Sequence, residues 1–195
     1  MRSVSGPHVT AAVILAAGAS RRLGTPKQGL VLDSETLVER ALHTAQEAAL
    51  SPVIVVVRPE AHVGHALQQC GCVIAVNEQA DEGMASSIRL GVNIARMAKA
   101  KGVVLMTCDQ VLLRPEHLQA LCGEPERITG SAYAGKIGIP AHFPAASFAD
   151  LLELKGDVGA RELLRGAASI ADEDLALDID TQEDFDRAQR LLRGA

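Results

Sequence analysis

The sequence has no tryptophan, one tyrosine and only three phenylalanines in 195 residues. Its core must therefore be built mainly from Ala, Val, Leu and Ile, in a chain that is 48% apolar. There is no cationic excess: the formal net charge is −5. That argues against a general nucleic-acid or anionic-membrane partner, while leaving room for a local anion pocket. No apolar run approaches the ~20 residues that a membrane helix needs. Residues 1–10, MRSVSGPHVT, lack the apolar region of a secretory signal. Cysteine is sparse as well. Cys70, Cys72, Cys108 and Cys122 do not have the spacing of a zinc pair, and they read as free, buried or half-buried thiols of a reducing compartment. These absences lead to the expectation of a cytoplasmic protein with a short flexible N-terminus over 1–10 and one globular domain over 11–195.

What the chain does have is alternation. AAVILA (11–16), VIVVV (53–57), CVIAV (72–76) and GVVLMT (102–107) are short, β-branched runs expected as strands buried on both faces. Between them, residues 36–49, 60–70 and 84–98 carry helical periodicity, for example Leu37, Ala41, Leu42 and Ala45. Strand–helix alternation predicts an α/β fold with a mostly parallel sheet and right-handed crossovers. From residue 127 the rhythm changes. ITGSAYAGKIGIPAHFP predicts two strands joined by a turn around Gly135–Gly138. Short helices near 146–154 and 158–165, a strand near 174–179 (DLALDI) and a helix over 182–193 complete the expected order.

In an open parallel sheet, ligands sit beyond the carboxyl ends of the strands. After the first strand comes VILAAGASRRLGTPKQ, in which Ala16, Ala17 and Gly18 are small enough for backbone to approach a ligand. Arg21, Arg22 and Lys27 follow as fork-shaped and mobile cations. The stretch is neither a Walker A loop nor GxGxxG. Taken alone, it is balanced between a solvated surface loop and a phosphate grip. After the third strand, NEQADEGMASS places Gly83, Ser86 and Ser87 at a helix start, as plain capping or as ligand contacts. After the fourth, Asp109 ends a buried run, where a carboxylate needs a cation or a capping role. Near the C-terminus, Thr181 and Asp184 read as a capping box, which leaves Asp180 unexplained. If Asp180 approached Asp109, the pair would suit Mg²⁺, which takes one or two carboxylates together with phosphate oxygens. His62 and His65 read as solvated residues rather than a metal pair, and no Ser–His–Asp set is evident.

With these residues assembled, the chain resembles the MobA-like NTP transferases, the nucleotidyltransferases of the molybdenum-cofactor type, and among them most the cytidylyl branch. LAAGASRRLGTPK is similar to that family's LAAG-containing signature. NEQADEGMASSIRLG, TCDQV, YAGKIGIPAHF, KGDVGAR and DIDTQEDF follow in the family's order, so the likeness runs from about residue 11 to residue 190. The resemblance implies a Rossmann-like three-layer α/β/α nucleotidyltransferase fold. It also implies transfer of CMP from CTP to the phosphate of molybdopterin-bound molybdenum, with release of pyrophosphate. By likeness, Leu15, Ala16, Ala17 and Gly18 touch the nucleotide through backbone, and Arg21 and Lys27 hold its phosphates. Asn77, Gly83 and Ser86 lie against base and ribose. Asp109 binds Mg²⁺ (or Mn²⁺), with Asp180 as second carboxylate, although Asp178 is an alternative.

The second Ala of LAAG, where guanylyl relatives carry Gly, points to the cytidylyl branch. YAGKIGIP and KGDVGAR are expected to line the acceptor side: Asp157 as a helix cap, Arg161 facing an anion, and Lys136 and His142 as further candidates. Two departures stand out. The family's Gly-Asp-Gln-Pro is Cys108-Asp109-Gln110-Val111, without the restraint of proline, and the usual Trp near NEQADEGM is missing. Two other readings remain. One is a sister transferase using another nucleotide or phosphorylated acceptor. The other is a non-catalytic carrier that hands the pterin to a molybdenum hydroxylase apoenzyme.

Overall fold

The computed structural model describes residues 9–20, 23–61, 67 and 69–193. In chain order these form β1 (Thr10–Leu15), the short strands β2 (Val31–Leu32) and β3 (Glu35–Thr36), and α1 (Leu37–Glu47). Next come β4 (Val53–Val57), β5 (Val73–Val76), α2 (Met84–Met97), β6 (Gly102–Thr107) and α3 (Pro115–Leu121). The chain finishes with β7 (Thr129–Tyr133), β8 (Lys136–Pro144), α4 (Phe148–Leu152), β9 (Ala168–Ala171) and α5 (Gln182–Arg193).

Seven strands make one sheet in the order β5-β4-β1-β6-β8-β7-β9. Only β8 runs against the rest, pairing antiparallel with both β6 and β7. Helices cover both faces because the strands are apolar on both. Along β1, Ala12 and Ile14 pack with Leu37, Leu42 and Leu118, whereas Ala11, Val13 and Leu15 pack with Ile88, Val92 and Phe143. The outcome is the expected α/β/α sandwich. Local chemistry sets the helices. Thr36 and Glu39 form a capping box at the start of α1. In α2 the buried stripe of Ile88, Val92 and Ala95 faces the sheet, and Gly91 lies so close to Val13 that any Cβ there would clash.

Several expectations change. β1 begins at Thr10, inside the segment expected to be a loose N-terminus. β5 is an edge strand rather than a doubly buried one: with β4 as its partner, Val73 and Val76 are exposed. The turn between β7 and β8 lies at Ala134–Gly135, where both residues have positive φ. The helix expected over 158–165 is only a 3-10 turn at Arg161–Leu164. DLALDI is not a strand. Glu173–Ala176 forms a 3-10 turn capped by the Asp172 side chain, and the strand is Ala168–Ala171, paired parallel with β7. α3, opened by Pro115 at its first turn, has no counterpart in the expected order. The helix expected over 60–70, with His62 and His65, lies largely outside the described residues. The four cysteines are free thiols. Among the described residues, no helix is long and apolar enough to cross a membrane.

Candidate functional site

The strand order reverses around β1: the chain moves outward through β4 and β5, then returns to β6 on the other side. Beyond the carboxyl ends of β1, β4 and β6 lies a cavity of about 310 Å³. Such a reversal opens a crevice between neighbouring loops, which is why ligands collect there. Leu15 to Ala19 line one wall and Thr107 to Asp109 another, with Lys27, Arg58, Gly83, Met84 and Ser87 around the rim. Ala16 and Ala17 are buried while Gly18 is exposed, and a Cβ on Gly18 would meet nothing within 4 Å. The bare backbone expected for this loop is thus present.

The charged centre joins residues far apart in sequence. Lys27 Nζ bonds Asp109 Oδ2 and lies 3.1 Å from Asp180 Oδ1. The lysine backbone is held in place, since its N–H donates to Ser20 Oγ at 3.0 Å. Burial pulls the Lys27 pKa down, but Asp109 and Asp180 outweigh it and hold the value above that of an ordinary lysine. Asp180 reaches the site without a strand. Ile179 N–H donates to Asp109 O at 3.2 Å, which docks the segment across the end of β6. The expected capping box then orients it: Asp184 Oδ2 accepts from Thr181 N–H at 2.9 Å and from Asp180 N–H at 3.3 Å. Nearby Asp178 has its pKa raised, by burial first and then by the negative charges of Asp109 and Asp180. Cys108 is no nucleophile here, because burial, reinforced by Asp109, pushes its thiol up to about 12.

The residues fit a divalent cation. Among the described residues no group of three or more His, Cys, Asp or Glu side chains is arranged around a common metal position. The site offers instead two carboxylates with an ammonium already between them as a stand-in cation. That donor set suits an ion whose remaining positions are filled by water and phosphate oxygens.

Within residues 77–87, Gly83, Met84 and Ser87 line the cavity, whereas other polar groups hold the turn together. Asn77 is buried and donates to Ser86 Oγ and Ser87 Oγ, at 2.8 and 2.9 Å, while Ser86 Oγ donates to Gly83 O at 2.8 Å. Asn77 and Ser86 brace the turn from behind, and Ser87 faces the cavity. The α2 N-terminus is occupied: Met84 N–H donates to Asp157 Oδ1 at 3.2 Å and Ala85 N–H to Gly156 O at 3.0 Å. Asp157 is therefore a cap, as expected, but for a helix 73 residues earlier. Gly83 makes this possible. Its φ is +106°, and a Cβ there would run into Gly156 and Asp157.

Arg58 is the cavity cation that sequence reasoning missed. Its Nη1 donates to Ala17 O at 3.3 Å and its Nη2 pairs with Asp81, so it ties the glycine-containing loop to the 80–82 turn. The signal was there: Arg58 directly follows the last residue of β4, the same carboxyl-end position that singled out Asp109. Arg21 and Arg22 lie outside the described residues.

A second cavity, of about 180 Å³, shares Leu15, Met84 and Asp157 with the first. Its walls include Tyr133, Ile137, Ile139 and Leu164, with Lys136 and Arg161 supplying positive charge. Lys136 Nζ sits 5.2 Å from the centroid of the Tyr133 ring. His142 is not part of it. That residue is fully buried in the sheet, its Nδ1–H donating to Arg127 O at 3.0 Å.

A Ser–His–Asp arrangement is present after all, but sealed. His117 Nε2 lies 2.8 Å from Ser131 Oγ, and His117 Nδ1 lies 3.5 Å from Asp172 Oδ2. Ser131 is 0% exposed and its hydroxyl donates to Pro140 O at 2.6 Å. A nucleophile must reach its substrate and release its proton to the base. Ser131 can do neither, so this set joins α3, β7 and β8 as a structural network.

With geometry in place, comparison with known proteins decides the family. Residues 12–174 match the MobA-like NTP transferase domain. The chain belongs to this family. The purine catabolism protein PucB of Bacillus subtilis (strain 168) is 34% identical over 200 residues, covering 92% of this chain and 96% of the relative. The crystal structure of Rv0371c from Mycobacterium tuberculosis H37Rv superposes with a TM-score of 0.80 at 31% identity, covering 94% of this chain and 98% of that one. A manganese complex of Rv0371c superposes with a TM-score of 0.72 at 28% identity, over 93% and 98% of the two chains. This MobA-like transferase thus has a nucleotidyltransferase fold, and manganese is bound in a crystal structure of one of its relatives.

Proposed function

We propose that this MobA-like transferase moves CMP from CTP to the terminal phosphate of a molybdopterin cofactor, releasing pyrophosphate. The observation that carries the reading is the Lys27–Asp109–Asp180 cluster, whose Lys27 and Asp109 line the first cavity, beside a second cavity that shares Leu15, Met84 and Asp157 with it. One lobe has bare backbone and cations suited to a triphosphate. The other has an aromatic ring, apolar walls and two cations, which suits a flat heterocycle with an anionic tail. The molybdenum link is supported by a relative described as a probable molybdenum cofactor guanylyltransferase from Opitutus terrae, 31% identical over 103 residues. The choice of cytosine rests on the LAAG sequence at Leu15–Gly18.

In this mechanism the loop Leu15–Gly18 holds the nucleotide through its backbone, and Lys27 and Arg58 offset charge on its phosphates, with Arg21 assigned the same task by resemblance. Asp109 and Asp180 would hold Mg²⁺, or Mn²⁺ in its place, and the bound ion would supply positive charge to offset that of the α-phosphate and the departing pyrophosphate. The attacking group is an acceptor phosphate oxygen, already anionic, which displaces pyrophosphate in line at the α-phosphorus. A general base is unnecessary, in keeping with the absence of histidine among the described residues lining either cavity. Arg161 and Lys136 orient the acceptor phosphate from the second lobe. A molybdenum hydroxylase apoenzyme is the proposed recipient of the product, and the reaction is assigned to the cytoplasm.

The test is pyrophosphate release from each of the four nucleoside triphosphates with molybdopterin as acceptor. Turnover with CTP is the expected result. Turnover with another nucleotide alone would replace the cytidylyl assignment, and turnover only with a sugar phosphate would overturn the cofactor reading.

A further inference from the structure

Two carboxylates that suit a divalent cation are engaged by an ammonium. Lys27 Nζ bonds Asp109 and sits 3.1 Å from Asp180, although 82 and 153 residues separate them in sequence. We propose that Lys27 is the resident cation of this site in the nucleotide-free protein, keeping divalent ions off Asp109 and Asp180 until a triphosphate draws the ammonium away. The inference rests on the nucleotidyl-transfer reading and adds a binding order to it.

Three features carry it. First, the positions exclude each other. Mg²⁺ or Mn²⁺ coordinates carboxylate oxygen at roughly 2.1 Å. An ion placed on the oxygens that now hold Nζ would lie within a few ångströms of a like charge, in a half-buried setting where screening is weak. Second, the lysine is gripped by both carboxylates at once: Nζ bonds Asp109 and lies 3.1 Å from Asp180, with the lysine side chain only 18% exposed. Third, the alternative partner binds next door. Lys27 lines the same cavity as Leu15–Gly18 and Arg58. Its backbone is pinned by Ser20 while the charge sits on a flexible stem, so the head can swing to a triphosphate without moving the loop.

The consequence is reciprocal coupling: triphosphate raises metal affinity, and metal raises triphosphate affinity by the same factor. Part of any such coupling comes from phosphate oxygens that ligate the metal. The part due to Lys27 is isolated by measuring metal without nucleotide. In the nucleotide-free wild type, Lys27 suppresses metal binding, so removing its charge should increase affinity for Mn²⁺ even though the same change weakens nucleotide binding. A residue that merely helped to build the site would lower both.

The experiment titrates Mn²⁺ alone into the full chain and follows the free-ion paramagnetic resonance signal, with Lys27→Met, Lys27→Arg and Lys27→Met/Asp109→Asn in parallel. Ternary complexes with CTP are followed separately by water-proton relaxation. Lys27→Met should bind Mn²⁺ at least about tenfold more tightly than wild type, Lys27→Arg should remain as weak as wild type, and Asp109→Asn should cancel the gain. If wild type forms the ternary complex but Lys27→Met binds Mn²⁺ no more tightly, the lock is overturned and the transfer reading stands. A gain that survives Asp109→Asn lies at another site and also overturns the lock. If wild type forms no ternary complex with CTP or any other nucleoside triphosphate, the transfer reading falls and the lock falls with it.

Discussion

Lys27 Nζ and Asp180 Oδ1 lie 3.1 Å apart across 153 residues of chain. The lysine comes from the loop after β1 and the aspartate from the capping box that opens α5, so the ion pair closes the sheet edge from both ends of the fold. Asp109, at the end of β6, completes the triangle. A charge-assisted contact of this kind joins recognition of an anion to recognition of a cation, because any ligand of one partner must settle the charge of the other.

Asp109→Asn is expected to lower pyrophosphate release by at least about 10²–10³-fold, the usual loss when a charge-stabilising group is removed from a transfer site. Lys27 keeps Asp180 as a partner, so the fold should survive. A steady-state assay beside far-UV circular dichroism checks both points, and normal turnover would remove Asp109 from the metal site.

Arg58→Ala should weaken triphosphate binding by about tenfold or more, the scale of one hydrogen bond to a charged group. It also frees Ala17 O and Asp81 from a shared tether. Calorimetric titration with CTP gives the affinity, and an unchanged value would confine Arg58 to holding the loop.

Gly83→Ala should destabilise the protein by about 2 kcal/mol, within the range for a strained positive φ. The added methyl meets Gly156 and Asp157, so the cap on α2 must open. Urea denaturation measures the loss. A matching fall in nucleotide affinity would show that this cap also shapes the shared wall of the two cavities.

Ser131→Ala should leave pyrophosphate release unchanged while costing about 1–3 kcal/mol, because it strips a buried imidazole of its partner. Loss of activity without loss of stability would contradict the structural assignment of the Ser131–His117–Asp172 set.

Stability should fall on mild acidification. Burial holds the pKa values of His142 and His117 below that of an ordinary histidine. Well above about pH 6.5 both residues are neutral, folded or unfolded, and these two histidines contribute no pH dependence. As pH drops below that value, the unfolded chain takes up protons that the folded protein resists, so stability is lost until the lower folded-state values are reached. For His142 the cause is visible: Nε2 lies buried against Gly102 without a partner among the described residues, and this burial outweighs the Nδ1–H bond to Arg127 O, which by itself favours the charged ring. Urea midpoints at pH 7.5 and 5.5 should differ less in His142→Gln than in wild type.

Much of this architecture is readable in the chain because it depends on local pattern. Continuous β-branched runs such as VIVVV can be satisfied only with apolar cover on both faces, and helical periodicity between them supplies that cover. The capping box at Thr181 and Asp184 and the exposed Gly18 backbone follow from short-range chemistry in the same way. Other features depend on partners that no local pattern names. Ala168–Ala171 and the DLALDI stretch are both short alternating runs, and which becomes a strand depends on which can pair with β7. Lys27 and Asp180 stand out in the sequence by their place and by resemblance, but nothing local sets the distance between them or brings Arg58 to the cavity that Lys27 lines. What the sequence determined alone was a layered α/β sandwich with small residues and charges after its strands, since burial and periodicity act over a few residues. The tertiary structure decided that one ammonium should meet two carboxylates, and that Asp157 should cap a distant helix, because only folding sets the distances over which charge and hydrogen bonding act.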